Sequence, residues 1–159
     1  RSKPRIMCYN ERNGENEMKN DFINTKRSLT NDDLKQFESK FNIVMPDKIK
    51  KHYLKYNGGY PERNIFKLDG NDREYAVNYF FSIGCEGGKT IEKIWPIIVP
   101  LADEMGEDIF AYSIRAGEEG SIYYYSHEFD YGENPEKYVT FLSKDIDTFL
   151  ESLIPDDDE

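Results

Sequence analysis

The chain has 159 residues, which suits a single domain with one hydrophobic core, and 38% of its residues are hydrophobic. Its 31 acidic and 21 basic side chains give a formal net charge of −10, which disfavours nucleic acid as a partner and favours a basic protein. Two widely spaced cysteines exclude a disulfide framework, and no apolar run approaches the roughly 20 residues of a membrane span, so a cytoplasmic protein is predicted.

The two ends of the chain differ in composition from its middle. Residues 1–20 show almost no apolar periodicity, and we interpret them as a disordered leader, a tag or upstream translation. Residues 156–159 are all acidic and predict a solvated tail. The single folded domain is therefore expected over residues 21–155.

Two helices are predicted near the start of this domain. Thr30 suits an N-cap, and apolar residues follow it at helical spacing: Leu34, Phe37 and Phe41. Pro46 suits the first turn of a second helix, which Asn57-Gly58-Gly59 would end because these residues tolerate positive φ. The lysines of this second helix lie mostly off its apolar stripe and are interpreted as a solvated face.

After Pro61 the sequence period changes from that of helices to that of strands. Short strands are predicted over residues 65–68, 75–81, 109–114 and 122–126. A closing helix is predicted after Ser143, which can cap it, and ends before Pro155. The expected fold class is α+β, with two N-terminal helices, a mostly antiparallel sheet of short strands, and a C-terminal helix packed on that sheet.

Residues 83–90, with the sequence IGCEGGKT, resemble part of a nucleotide-binding motif. Gly88-Lys89-Thr90 matches the end of a phosphate-binding loop, in which backbone amides and a lysine hold phosphate. However, Ile83 stands where that loop needs its first glycine, and Pro96 leaves little room for the helix that should follow. We therefore prefer a glycine-rich connection, with nucleotide binding as the alternative.

Four carboxylates lie within six residues on a stretch predicted as a turn after a short apolar run: Asp103, Glu104, Glu107 and Asp108. Such a group could hold a divalent cation or supply an acid and a base. No histidine or second acidic cluster is placed to complete that site, so a solvated turn is preferred. Further on, Tyr123-Tyr124-Tyr125 places phenols on both faces of a strand, and at least one ring is expected to face outward or toward a neighbouring element.

Several short motifs, taken in their order and spacing, resemble the SUKH superfamily of Smi/Knr-type domains, which includes bacterial toxin-immunity proteins and fungal cell-wall-synthesis regulators. The motifs are Phe37-Glu38, Met45-Pro46, Tyr53, Asn57-Gly58-Gly59 and Pro61, then Pro100-Leu101-Ala102-Asp103 with Gly106, Gly120-Ser121-Ile122-Tyr123-Tyr124 with His127, and the helix over residues 143–153. The likeness extends from about Leu29 to Leu153. Met45 replaces the leucine usual in the family, which is a volume-conserving change.

The resemblance implies a non-enzymatic protein, without cofactor or metal, that binds a cognate toxin and neutralises it in the producing cell. Such toxins are often nucleases and tend to be basic, which agrees with the net charge of −10. The predicted contact residues are acidic or aromatic: Asp103, Glu104, Glu107, Asp108, Glu118, Glu119 and Tyr124. Two alternatives stay open, namely a scaffold or regulatory adaptor, and a metal- or nucleotide-dependent hydrolase built on residues 103–108 or 84–90.

Overall fold

Three helices and eight strands lie in the part of the chain that the structure describes, which is residues 20–70, 72–85, 89–104, 108–126 and 139–156 of a computed structural model. The helices are α1 (Asn31–Phe41), α2 (Asp47–Lys55) and α3 (Ile146–Ser152). The strands are β1 (Phe22–Ile23), β2 (Tyr60–Pro61), β3 (Ile65–Lys67), β4 (Glu74–Phe80), β5 (Ile98–Glu104), β6 (Ile109–Ser113), β7 (Ile122–Tyr125) and β8 (Val139–Ser143).

Strands β3 to β8 form one six-stranded sheet in which each strand pairs with the next in antiparallel register. Strands β1 and β2 form a separate antiparallel pair. The order of two helices, an antiparallel sheet and a closing helix confirms the predicted α+β class. No helix in the described residues is long and apolar enough to cross a membrane.

The sheet is buried on both faces, because its strands carry apolar side chains in both directions. Side chains of all three helices pack on one face against a cluster that includes Phe110, Tyr112 and Tyr124. The opposite face buries Tyr123 and Tyr125. The ring of Tyr125 lies 5.7 Å from that of Trp95. The tyrosines of β7 therefore do point to both faces, as the sequence predicts, and those on the second face contact neighbouring elements.

The helix ends follow the sequence in part. The Thr30 hydroxyl accepts a hydrogen bond from the Asp33 amide at 3.2 Å, and the Asp33 carboxylate accepts one from the Thr30 amide at 2.8 Å, which forms a capping box at the start of α1. The predicted cap of α3 is wrong. Asp145, not Ser143, is its N-cap, because Ser143 is the last residue of β8 and the Asp145 carboxylate accepts from the Thr148 amide at 2.7 Å.

Residues 91–95 form no helix, and the chain from Lys89 to Ile91 runs alongside Ser82, with backbone hydrogen bonds from the Ser82 amide to Lys89 and from the Ile91 amide to Ser82. One further local prediction differs from the structure. Asp103 and Glu104 lie on β5 rather than in the following turn, because the apolar strand continues through them and pairs with β6. Glu107 lies outside the described residues.

Candidate protein-binding groove

The predicted contact residues that the structure describes lie in two groups at opposite ends of β6. Glu104 and Asp108 flank the connection between β5 and β6, whereas Glu118 and Glu119 lie in the connection between β6 and β7. A strand of five residues spans about 13 Å, so the two groups do not form one patch. Tyr124 belongs with the first group, because it pairs with Phe110 near the start of β6.

The first group is linked to Arg73 within the protein through Tyr124. The Arg73 guanidinium stacks over the Tyr124 ring at 4.7 Å, donates to the Tyr124 hydroxyl at 2.9 Å and lies 4.0 Å from the Glu104 carboxylate. The Tyr124 hydroxyl in turn lies within hydrogen-bond distance of both Glu104 and Asp108. Burial and these carboxylates raise the pKa of the Tyr124 phenol well above its ordinary value, so this group remains a donor. The Tyr124 hydroxyl thus joins the two carboxylates to each other, and Arg73 partly offsets their charge.

Asp103 has a structural role in the sheet. It is 8% exposed, and its carboxylate accepts a hydrogen bond from the Tyr79 amide at 3.2 Å, where the register of β4 against β5 shifts. A register shift leaves a backbone amide without a partner strand, and the Asp103 side chain satisfies that amide. Burial raises the pKa of the Asp103 carboxyl to about 6, while the Lys89 charge and the Asn78 side chain partly oppose that increase.

This raised pKa predicts how Asp103→Asn changes the pH dependence of stability. A carboxyl with a folded-state pKa of about 6 and an ordinary pKa of 3.8 holds its proton longer in the folded protein. Its contribution to stability is therefore present below pH 3.8 and lost as the pH rises through 6. Asparagine keeps the acceptor for Tyr79 but does not titrate. We expect the thermal midpoint of Asp103→Asn to rise relative to wild type between pH 4 and pH 7, and a constant difference between the two midpoints would contradict the assignment.

The second group lies beside a groove between the α1–α2 linker and the β6–β7 connection. This groove has a volume of about 640 Å³. Its lining, hereafter the linker groove, consists of Asn42, Ile43, Val44, Met45, Pro46, Asp47, Lys48, Ile114, Glu119, Gly120 and Asp145. Of the predicted contact residues, Glu119 is the one in this lining. Glu118 lies next to it and is paired with Arg115, whose Nε donates to its carboxylate at 2.7 Å.

The linker that forms one wall of the groove is held in a fixed conformation. Asn42 ends α1 in the left-handed conformation, with φ of 54°. The Glu38 carboxylate accepts from the Met45 amide at 2.7 Å, and the Met45 side chain is buried. Because Met45 points inward, its neighbour Val44 points outward and is 78% exposed. An apolar side chain held in water by a fixed backbone is available to a partner at little cost in conformational entropy.

The groove is also bordered by Asp145, the N-cap of α3, which is held by α2. The Lys48 ammonium donates to the Asp145 carboxylate at 2.8 Å. Although partial burial opposes ionisation, the hydrogen bonds from Lys48 and from the Thr148 amide lower the pKa of Asp145 to about 2. At Gly120, φ is +85°, and a β-carbon there would lie 3.4 Å from Pro46 Cβ. Gly120 and Pro46 therefore lie close together, with little room for a larger side chain at position 120.

The charges of the linker groove suit a basic partner. Its lining contains three carboxylates, those of Asp47, Glu119 and Asp145, against the single ammonium of Lys48. Asp47 and Glu119 are exposed. An exposed valine beside exposed carboxylates can bury an apolar contact at its centre while the rim attracts lysine or arginine.

The sequence analysis did not select Val44, Asp47 or Asp145 as contact residues. Ile43-Val44-Met45 is a short apolar run, which normally indicates core, and Asp47 was not distinguished from the other charges of α2. The positions of Asn42 and Pro46 on either side of this run could have indicated that Val44 is exposed. Both residues break helices, so the three residues between them must form a tight connection in which not all side chains can face inward.

Comparison with family models gives a match to the SMI1 / KNR4 family (SUKH-1) over residues 28–152, which is most of the chain. The chain belongs to the SUKH-1 family. This result confirms the resemblance seen in the motifs. No curated protein and no solved structure matches the chain in the same comparisons.

The SUKH-1 match includes every residue that lines the linker groove. It starts two residues before the Thr30 cap of α1 and ends at the last residue of α3, so β1 lies outside it. The SUKH family includes toxin-immunity proteins and is generally non-catalytic. We therefore assess this groove as a surface for binding another protein.

Proposed function

We infer that this SUKH-1 protein is an immunity protein of the cytoplasm, which binds a cognate toxin and neutralises it stoichiometrically. The proposed toxin is a basic protein of the nuclease type, and nucleic acid itself is not a partner. The observation that carries this proposal is the linker groove, in which Val44 is 78% exposed beside the carboxylates of Asp47 and Glu119.

In this proposal the groove supplies both attraction and a contact area. The net charge of −10 accelerates the approach of a basic protein, and the exposed carboxylates of the groove orient that protein as it docks. Burial of Val44 then excludes water from the centre of the contact. A toxin surface that binds phosphate through lysine and arginine would be covered in the same step.

The predicted contact residues have different parts in this proposal. Glu119 contacts the partner directly, and Glu118 contributes at the rim. Glu104 and Asp108 add to the overall negative field, as Glu107 does through its charge. Asp103 and Tyr124 are 8% and 3% exposed, so we assign them to supporting the sheet beneath the surface.

The proposal is tested with the protein encoded by the neighbouring gene. Two quantities are measured: the affinity of that protein for this chain, and the toxicity of that protein in the presence and absence of this chain. We expect Val44→Asp to raise Kd by about 10- to 100-fold, because it places a charge in the apolar centre of the contact. We expect Glu119→Lys to raise Kd by about tenfold and to slow association more at low salt than at high salt.

Matched controls exist for both variants. Phe141→Ser removes a side chain that is 51% exposed on β8, and Glu74→Lys reverses an exposed charge that pairs with Lys67. Both should neutralise as wild type does. If the groove variants neutralise normally, the groove is not the contact surface. Binding without any loss of toxicity would instead identify the chain as an adaptor.

A further inference from the structure

Strand β8 is an edge strand of the six-stranded sheet, and its outer side is open. It pairs with β7 on one side, and no segment of the described residues pairs with it on the other. Thr140 and Phe141 are both exposed and point to opposite faces of the sheet, so this edge is accessible from both faces. An open edge presents backbone N–H and C=O groups with which another strand can pair.

The opposite edge of the sheet, at β3, is covered by the chain itself. Ile154, which follows α3, exchanges two backbone hydrogen bonds with Ile65 of β3, each of 2.9 Å. The sheet therefore has one covered edge and one open edge. Pairing through β8 alone joins two copies and then stops, because neither copy keeps an open edge on which a fibre could grow.

Strand β8 also lacks the residues that usually protect an open edge from pairing. Its sequence, VTFLS over residues 139–143, contains no charged residue and no proline, although 33% of the whole chain is charged. Two copies that each carry a net charge of −10 repel each other, but along this strand no like charges would meet. A basic partner, in contrast, gains no charge attraction here. The edge thus suits a second copy of this chain better than it suits a basic protein.

The side chains of β8 are complementary to those of a second, antiparallel β8. The register of β8 against β7 shifts after Phe141, so regular pairing covers residues 139–141, with Thr140 at the centre. About a two-fold axis at Thr140, this threonine faces its own copy, and Phe141 faces Val139 of the second copy. Both are favourable cross-strand pairs. The Phe141 ring is 51% exposed and lies 5.9 Å from the Tyr123 ring, which holds it on the sheet surface.

We propose that two copies of this protein associate through antiparallel pairing of their β8 strands, with the two-fold axis at Thr140. Asp145, which lines the linker groove, follows Thr140 by five residues, so the two grooves lie at opposite ends of the paired strands, about 30 Å apart. The contact is small, and we expect a dimer Kd of about 10–100 µM. This interface lies apart from the linker groove and does not depend on the toxin proposal.

The test is sedimentation equilibrium of the purified full chain from about 1 µM to about 1 mM. We expect the mass to rise from that of one chain to that of two and to stop there. Raising the salt concentration from about 0.05 M to about 0.5 M should tighten the dimer by about threefold, because salt screens the repulsion between the copies. A mass of one chain at every concentration, growth beyond two chains, or a dimer that salt weakens would each overturn the proposal.

Substitutions at Thr140 test the position of the two-fold axis. Thr140→Lys and Thr140→Glu each place like charges opposite each other, so each variant alone should raise the dimer Kd by about fivefold to tenfold. An equimolar mixture should associate about as well as wild type, because lysine then faces glutamate. Thr140 is exposed, so neither variant should shift the thermal midpoint. A mixture that associates no better than the single variants would overturn the proposed pairing.

Phe141→Ser tests the apolar part of the contact and should raise the dimer Kd by about tenfold. Val44→Asp is the matched control, because it changes an exposed apolar side chain in the linker groove and should dimerise as wild type does. Phe141→Ser leaves the linker groove intact, so failure of this proposal and failure of the toxin proposal give different results. Dimerisation that is unchanged in Phe141→Ser would overturn the proposal.

Discussion

As the pH drops from about 7 to about 4, the wild-type protein is expected to lose about 3 kcal/mol more of its free energy of unfolding than a His52→Phe variant. His52 lies on α2 and is buried among aromatic rings, with centroids 5.1 Å from Phe22, 5.2 Å from Phe80 and 5.6 Å from Tyr53. Burial, with a smaller contribution from the Lys55 charge, lowers the pKa of its imidazole from 6.5 to about 3.

The sign of this effect follows from which state binds the proton. Below pH 6.5 the unfolded chain protonates His52, whereas the folded protein keeps it neutral until about pH 3. Stability contributed by the neutral imidazole is therefore complete above pH 6.5 and falls as the pH drops below that value. Urea denaturation at a series of pH values measures the difference. Parallel curves for the wild type and His52→Phe would show that the pKa of His52 is the same in the folded and the unfolded protein, which contradicts the prediction.

Gly59→Ala is expected to lower the free energy of unfolding by about 3 kcal/mol, through backbone strain and steric overlap together. Gly59 has φ of +99°, and a β-carbon there would lie 2.7 Å from the Ile23 carbonyl oxygen and 2.9 Å from Thr25 Cγ2. Strand β1 must therefore move away from β2, which follows the glycine directly. Chemical denaturation measures the loss.

Gly70→Ala separates the two causes. Gly70 has φ of +75°, but no atom lies within 4 Å of the position of a β-carbon there. Only the strain of a left-handed alanine remains, so the expected loss is about 1 kcal/mol. Equal losses for the two variants would mean that β1 gives way to the added methyl group without cost.

The sequence predicted those elements whose signals are local. Thr30 is the N-cap of α1, as predicted, and Asp33 completes the cap. Helix α2, in contrast, already ends at Lys55 with Tyr56 as an extended C-cap, so Gly58 and Gly59, which have positive φ, form the turn after the helix and do not end it. Pro46 lies one position earlier than predicted, at the N-cap of α2. The wrong cap at α3 arises because Ser143 and Asp145 are equally suitable in sequence, and only the end of β8 decides between them.

The candidate site was harder to predict, because it depends on contacts between distant segments. Nothing in the order of residues shows that Glu104 and Asp108 share the Tyr124 hydroxyl, or that Glu119 lines a groove with the linker between α1 and α2. Residue type was also a misleading guide to exposure, both for a charged residue and for an apolar one. Asp103 is charged and buried because a shifted register needs its carboxylate, and Val44 is apolar and exposed because Met45 takes the inward position.

Helix α2 joins the linker groove to the aromatic core. Its N-terminal residues Asp47 and Lys48 border the groove, and His52, on the same helix, is buried among the rings of Phe22 and Phe80. A partner that engages Asp47 therefore meets a residue whose helix is anchored in the interior, so docking there requires no rearrangement of the backbone.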